Sequence, residues 1–262
     1  MKAVLITILI ALAGAAAAWF SKIGKDQPVV DVVTATEANT ARQPVLVELF
    51  TSEGCSSCPP ADKVLTILQN DQLVPNAEVI TLSFHVDYWN YLGWKDQFSS
   101  AMFTRRQEAY ARQFHLDSSY TPQMVVDGSI EFVGSSRARA NETIVTSAAT
   151  GKAVIDLSIK ANKIHANVSG LPAHGNSTVY LAVAESKLTT KVGGGENSGS
   201  TLEHTSVVRD LISMGTIKNS ENGQSVERDA PTNAGWKSEN LKYVVFVQDN
   251  ATLKVLAVGT IR

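Results

Sequence analysis

The sequence predicts an α/β domain followed by an all-β, sandwich-like domain, and three observations predict it. Between residues 44 and 151, apolar runs of strand length alternate with stretches of helical periodicity. Beyond Gly151 that periodicity gives way to short alternating strands separated by Gly, Asn and Ser. The chain has 262 residues, 44% of them hydrophobic, enough for one large core or two small ones.

The chain opens with Lys2, then an apolar run from residue 3 to residue 20 whose end is rich in alanine. A basic start, an apolar stretch and small residues at Ala16–Ala18 read as a secretory signal peptide. The alternative is an uncleaved membrane anchor through residues 3–20, with Trp19, Phe20 and Lys22 at the interface. Either way the remainder is expected in a periplasmic or secreted location, and the anchor reading tethers it to the inner membrane. Residues 21–43 mix charged and small residues and read as a flexible linker.

In the first folded part, 44–151, Val45–Phe50 suits a strand buried on both faces. From Pro59 to Gln69, Val64, Leu65 and Leu68 recur at helical spacing, and prolines are tolerated in a first helical turn. Glu78–Phe84 is a second strand, so the three elements form a βαβ unit with a parallel pair. A helix is expected over 97–114, with Phe98, Met102, Tyr110 and Phe114 inward and Arg105, Arg106 and Arg112 on a solvated face. Met124–Gly128 and Ile130–Val133 read as a hairpin, and 137–149 as a closing helix. In the second part, 152–262, strands are expected at 154–159, 164–168, 179–184, 202–208, 243–247 and 253–258.

A formal net charge of -2 excludes a protein that works mainly by basic attraction to nucleic acid, and no nucleic-acid partner is expected. Two cysteines are too few for a disulfide-stapled scaffold. They stand at Cys55 and Cys58, after a buried strand and at the start of a helix, where partial positive charge favours a thiolate. The spacing lets one sulfur resolve a mixed disulfide formed at the other, with Cys55 the attacking, more exposed thiol and Cys58 the resolving one. Two rival readings stay open at this point: a fixed structural disulfide, and copper or zinc handling through Cys55, Cys58 and His85. His85 and Asp87 fall at the carboxyl end of the second strand, where ligands gather in parallel sheets. With Glu53 and Trp89 they are the candidates to line the site. Gly193–Gly195 lacks the Lys-Ser/Thr that follows a phosphate-cradling loop and reads as a mobile loop; no cofactor is expected. Its neighbours Glu196, Asn197, His204 and Arg209 are candidates for a contact between the two parts.

Four runs carry a family resemblance: Glu48–Asp62 around the cysteines, His85–Trp89, Tyr91–Asp96 and Tyr120–Gly128. With Gly195–Gly199, Leu202, His204 and Val207–Arg209, the chain from about residue 44 onward resembles DUF1223, a family of bacterial secreted proteins with a thioredoxin-like domain. That resemblance implies a thioredoxin-like fold for the first part, thiol–disulfide exchange with exported proteins as partners, and a cis proline facing the cysteines. Pro122 matches that proline, and Thr121 the residue whose backbone pairs with the substrate chain. The stretch from Asp87 to Phe114 then reads as a helical insert beside the site.

Overall fold

The computed structural model describes residues 42–262, and every structural statement below concerns these residues. The expected leader and most of the expected linker lie outside them. Among the described residues no helix is long and apolar enough to cross a membrane.

The βαβ unit forms as its patterning requires. Strand β1 (Gln43–Thr51) runs parallel to β2 (Ala77–His85) in register from Gln43↔Ala77 to Thr51↔His85. Between them α1 (Pro59–Asp71) starts with two prolines in its first turn and buries Ala61, Val64, Leu65 and Leu68 against β1. It ends at Gln72 in the left-handed conformation, whose amide grips Val79 through both its oxygen and its nitrogen. Helix α2 (Ala101–Gln113) starts later than its periodicity predicts because the Ser100 hydroxyl caps it, accepting from the Met102 N–H. The β3 (Gln123–Val126) and β4 (Ile130–Val133) hairpin follows on the other edge of β1, and α3 (Arg137–Ala148) packs behind it.

The C-terminal half corrects the expected fold class. It is not a thioredoxin-like α/β domain followed by a separate sandwich. In chain order the remaining strands are β5 (Val154–Lys160), β6 (Lys163–Ser169), β7 (Ser177–Glu185), β8 (Leu188–Lys191), β9 (Thr201–His204), β10 (Val207–Ile217), β11 (Gly223–Asp229), β12 (Leu241–Asp249) and β13 (Val255–Ile261). One mixed eight-stranded sheet runs through both halves in the order β13-β12-β7-β10-β2-β1-β3-β4. The junction is narrow: β10 meets β2 in parallel at Val207↔Ser83, and Ser83 donates its N–H to Ser206 O at 2.8 Å.

What holds the halves together is the core above that junction. Leu46, Phe50, Leu82 and Phe84 of β1 and β2 share one buried cluster with Ala182, Ala184, Val244 and Phe246 of β7 and β12. Helix α2 roofs this cluster, and here Arg106 departs from the solvated face expected of it. Its guanidinium is buried, donating to both Glu48 oxygens at 2.6 and 3.0 Å and to Gln248 Oε1 at 3.1 Å. It lies over the rings of Phe84, Tyr110, Tyr180 and Phe246, which belong to both halves. Tyr110 donates to the same Glu48 at 2.6 Å, and burial raises its phenol well above its ordinary value. A fork of five donors suits this role; a lysine has none of that geometry. The small sheet β11-β6-β5 covers the other end, packing Ile164, Ala166 and Val168 on Val179, Leu181 and Val245. That local two-layer packing is what the alternating strands announced, but its second layer belongs to the common sheet.

Candidate functional site

The carboxyl ends of β1 and β2, at Thr51 and His85, face the loop that carries the cysteines. Cys55 and Cys58 form a disulfide with a Cα–Cα distance of 5.5 Å, and Cys58 stands at the N-cap position of α1 without a side-chain capping bond. Contrary to the exposure expected for Cys55, both residues are 0% exposed. The Thr121–Pro122 bond is cis, and Thr121 faces the disulfide. Its hydroxyl donates to Cys55 Sγ at 3.3 Å and accepts from Trp89 Nε1 at 2.8 Å. Ser57 Oγ lies 3.3 Å from the same sulfur.

The cover comes from the loop between β8 and β9. Asn197 Nδ2 donates to Glu53 O at 2.9 Å and to Cys55 O at 2.8 Å. Glu196 accepts from the Ser56 N–H at 2.9 Å and from its hydroxyl at 2.8 Å, which holds the carboxyl below its usual range. The glycines expected to form a mobile loop are here packing residues. A Cβ on Gly193 would stand 2.9 Å from Trp94 Cζ3, and one on Gly194 would stand 2.8 Å from Gly93 O. Gly195 has a φ of +69° and lies against Gly54.

Behind the loop is a buried ionic cluster. Asp96 receives the Glu53 N–H at 2.9 Å, the Phe98 N–H at 2.9 Å and His85 Nδ1 at 2.7 Å. Burial opposes the charge on Asp96, yet His85 and these donors outweigh it and hold the carboxyl below its usual range. Burial likewise works against charge on His85, yet Asp96, with Asp62 and Glu53, raises it above 6.5. Glu53 is fully buried, taking Trp94 Nε1 at 2.8 Å on one oxygen and His204 Nε2 at 3.1 Å on the other. The rings of His85, His204 and Phe98 stand edge to face, with centroids 5.1 to 5.4 Å apart. His85 Nε2 and His204 Nδ1 have no hydrogen-bond partner among the described residues. One helical turn after Cys58, Asp62 accepts from Thr51 Oγ1 at 3.3 Å; burial raises its carboxyl, with His85 and His204 pulling the other way.

Of the residues singled out from sequence, Cys55, Cys58, Thr121, Pro122 and Trp89 meet at the disulfide, and Glu53 and His85 stand behind it. Asp87 does not join them: it turns to α2, taking Thr104 Oγ1 at 2.6 Å. Among the described residues no group of three or more His, Cys, Asp or Glu is placed to hold a metal ion, and Cys55 and Cys58 are bonded to each other. Asp96, the hub of the cluster, was missed by sequence reasoning, although it closes one of the four matched runs. The sequence marks His204, Asn197 and Glu196 only as candidates for a contact between the two parts.

The chain matches a protein family described as "Protein of unknown function (DUF1223)" over residues 46–248. It belongs to that family. Within this DUF1223 protein the matched span takes in the cysteine loop, its Asn197 cover and the sheet junction. Its fold is similar to the crystal structure of protein AGR_C_4864 from Agrobacterium tumefaciens, at 26% identity and a TM-score of 0.68, covering 86% of this chain and 96% of that one. It is also similar in fold to HBP35 of Porphyromonas gingivalis, at 13% identity and a TM-score of 0.53, covering 84% and 75% respectively. Among curated proteins the comparison finds no match.

Proposed function

We propose that this protein is exported and exchanges disulfides with other exported proteins through Cys55 and Cys58. The observation that carries the reading is the Thr121 hydroxyl donating to Cys55 Sγ at a disulfide closed across the start of α1. A thiolate of a reduced partner attacks Cys55 Sγ, the Cys55–Cys58 bond breaks, and its electron pair leaves on Cys58 Sγ. The partial positive charge at the start of α1 stabilises that anion. A second partner thiol then attacks the partner's own sulfur in the mixed disulfide, and the pair leaves on Cys55 Sγ, where Thr121 donates. This chain gains two electrons and two protons, and the partner becomes a disulfide; the reverse sequence reduces a partner. The apolar N-terminal run supports an oxidising extracytoplasmic location, where such pairs persist.

The test is a redox titration of the pair together with trapping by Cys58→Ser. A potential above about -300 mV and a mixed disulfide at Cys55 are expected. A more negative potential with no trapped partner refutes the reading. Complete burial of both sulfurs favours a second reading, in which the disulfide staples the loop of a binding module. It predicts that Cys55→Ser with Cys58→Ser loses about 2 kcal/mol of stability and leaves partner binding unchanged.

A further inference from the structure

A cavity of about 720 Å3 opens where the last turn of α1 meets the first residues of β2 and β12 and the end of β13. None of its lining residues belongs to the cysteine site. Lys242 is in its wall and only 5% exposed. Its Nζ donates to Gln69 Oε1 at 2.7 Å and lies 3.5 Å from Thr81 Oγ1, so both partners are neutral. Among the described residues no carboxylate pairs with it. The other charged groups lining the cavity are Arg42, Arg262 and Glu78, all exposed. Among the described residues, three side-chain cations therefore line the cavity with one side-chain carboxylate, Glu78.

An ammonium buried without a counter-charge is costly, and proteins satisfy it with an anion or discharge it. Burial, and after it the neighbouring Arg262, push Lys242 down to about 7. The volume lies in the range of small-molecule sites and exceeds what one inorganic ion fills. We propose that this cavity binds a small polycarboxylate of citrate size, with Lys242 as the buried contact and Arg42 and Arg262 closing over the outer carboxylates.

Calorimetric titration of the full chain with citrate and with sulfate, at constant ionic strength, tests this. Saturable one-to-one citrate binding is expected, tighter than sulfate, and at least about tenfold weaker in Lys242→Met. Arg262→Gln, at an exposed position, weakens citrate about threefold and decides the matter where Lys242→Met does not fold. Sulfate keeps its charge between pH 6 and 8.5, so its binding weakens over that range as Lys242 loses its proton. The proposal is overturned by no saturable citrate binding below about 10 mM, by sulfate binding as tightly as citrate, or by folded variants that bind citrate as well as the native chain.

Discussion

Replacing Asn197 by alanine tests whether the β8–β9 loop is a working cover over the disulfide. Among the described residues its amide alone reaches both Glu53 O and Cys55 O, at 2.9 and 2.8 Å. The two carbonyls are affected unequally. Cys55 O keeps the Cys58 N–H at 3.2 Å, so only a net hydrogen bond is lost there, about 0.5–1.5 kcal/mol. Glu53 O is left without its side-chain partner beside a buried carboxylate, a penalty of about 1–3 kcal/mol. Asn197→Ala should therefore cost about 1.5–4.5 kcal/mol in urea unfolding of the oxidised protein. The same loss falls on the closed loop, so opening becomes easier. A decrease of about 1.4 kcal/mol in the opening free energy speeds reduction of the disulfide by dithiothreitol about tenfold. Stopped-flow reduction followed by thiol alkylation measures it, with the exposed Ser198→Ala as control. If Asn197→Ala shifts stability by less than about 0.5 kcal/mol and reduces at the native rate, the loop is not what shields the sulfurs.

Asp96→Asn removes the charge that keeps His85 protonated, so burial takes over and the His85 pKa falls below 6.5, read from ring-carbon chemical shifts against pH. Because the folded-state value of His85 is raised, its stabilisation is complete below pH 6.5 and lost as pH rises through that folded value; the variant should lack this alkaline decline in urea midpoint. An unchanged His85 titration would show that the Asp96 pair does not hold the proton. Arg106→Met strands Glu48 among apolar residues and should cost about 3–5 kcal/mol, whereas Glu48→Gln with Arg106→Met together should recover much of it. Equal losses in the single and double variants contradict that account of the junction. Gly194→Ala sets a Cβ 2.8 Å from Gly93 O and should cost about 1–3 kcal/mol, with faster disulfide reduction as the loop lifts from Trp94. A native melting temperature in this variant would mean the loop has room to spare.

Much of the fold was legible because it is local. The spacing of Val64, Leu65 and Leu68 defines the buried face of α1, and β1 and β2 read as strands buried on both sides. Asp127-Gly128 reads as a turn, and Gly128 has a φ of +62°. The same reasoning misread Arg106, because a single arginine within helical periodicity gives no sign that Glu48, distant in the chain, waits opposite it. It also reads 202–208 as one strand, whereas Ser206, at a φ of 56°, breaks the run into β9 and β10. Neither β8 nor β11 was expected, since short polar-faced strands resemble loops in composition.

By itself the sequence determined the strand–helix–strand order, the placement of Cys55 and Cys58 at the strand-to-helix turn, and the family. Only the tertiary structure decided that the outer edge of β2 takes β10, which fuses two expected domains into one sheet. It alone decided that Asn197, Glu196 and His204 lie on the cysteine loop from about 140 residues away. The reason is physical: periodicity records which face of an element is apolar, and that is written locally. A strand edge offers the same backbone N–H and C=O groups whatever its side chains, and a buried ionic cluster exists only where remote segments meet. Which edges and which charges met was therefore a matter of packing the whole chain.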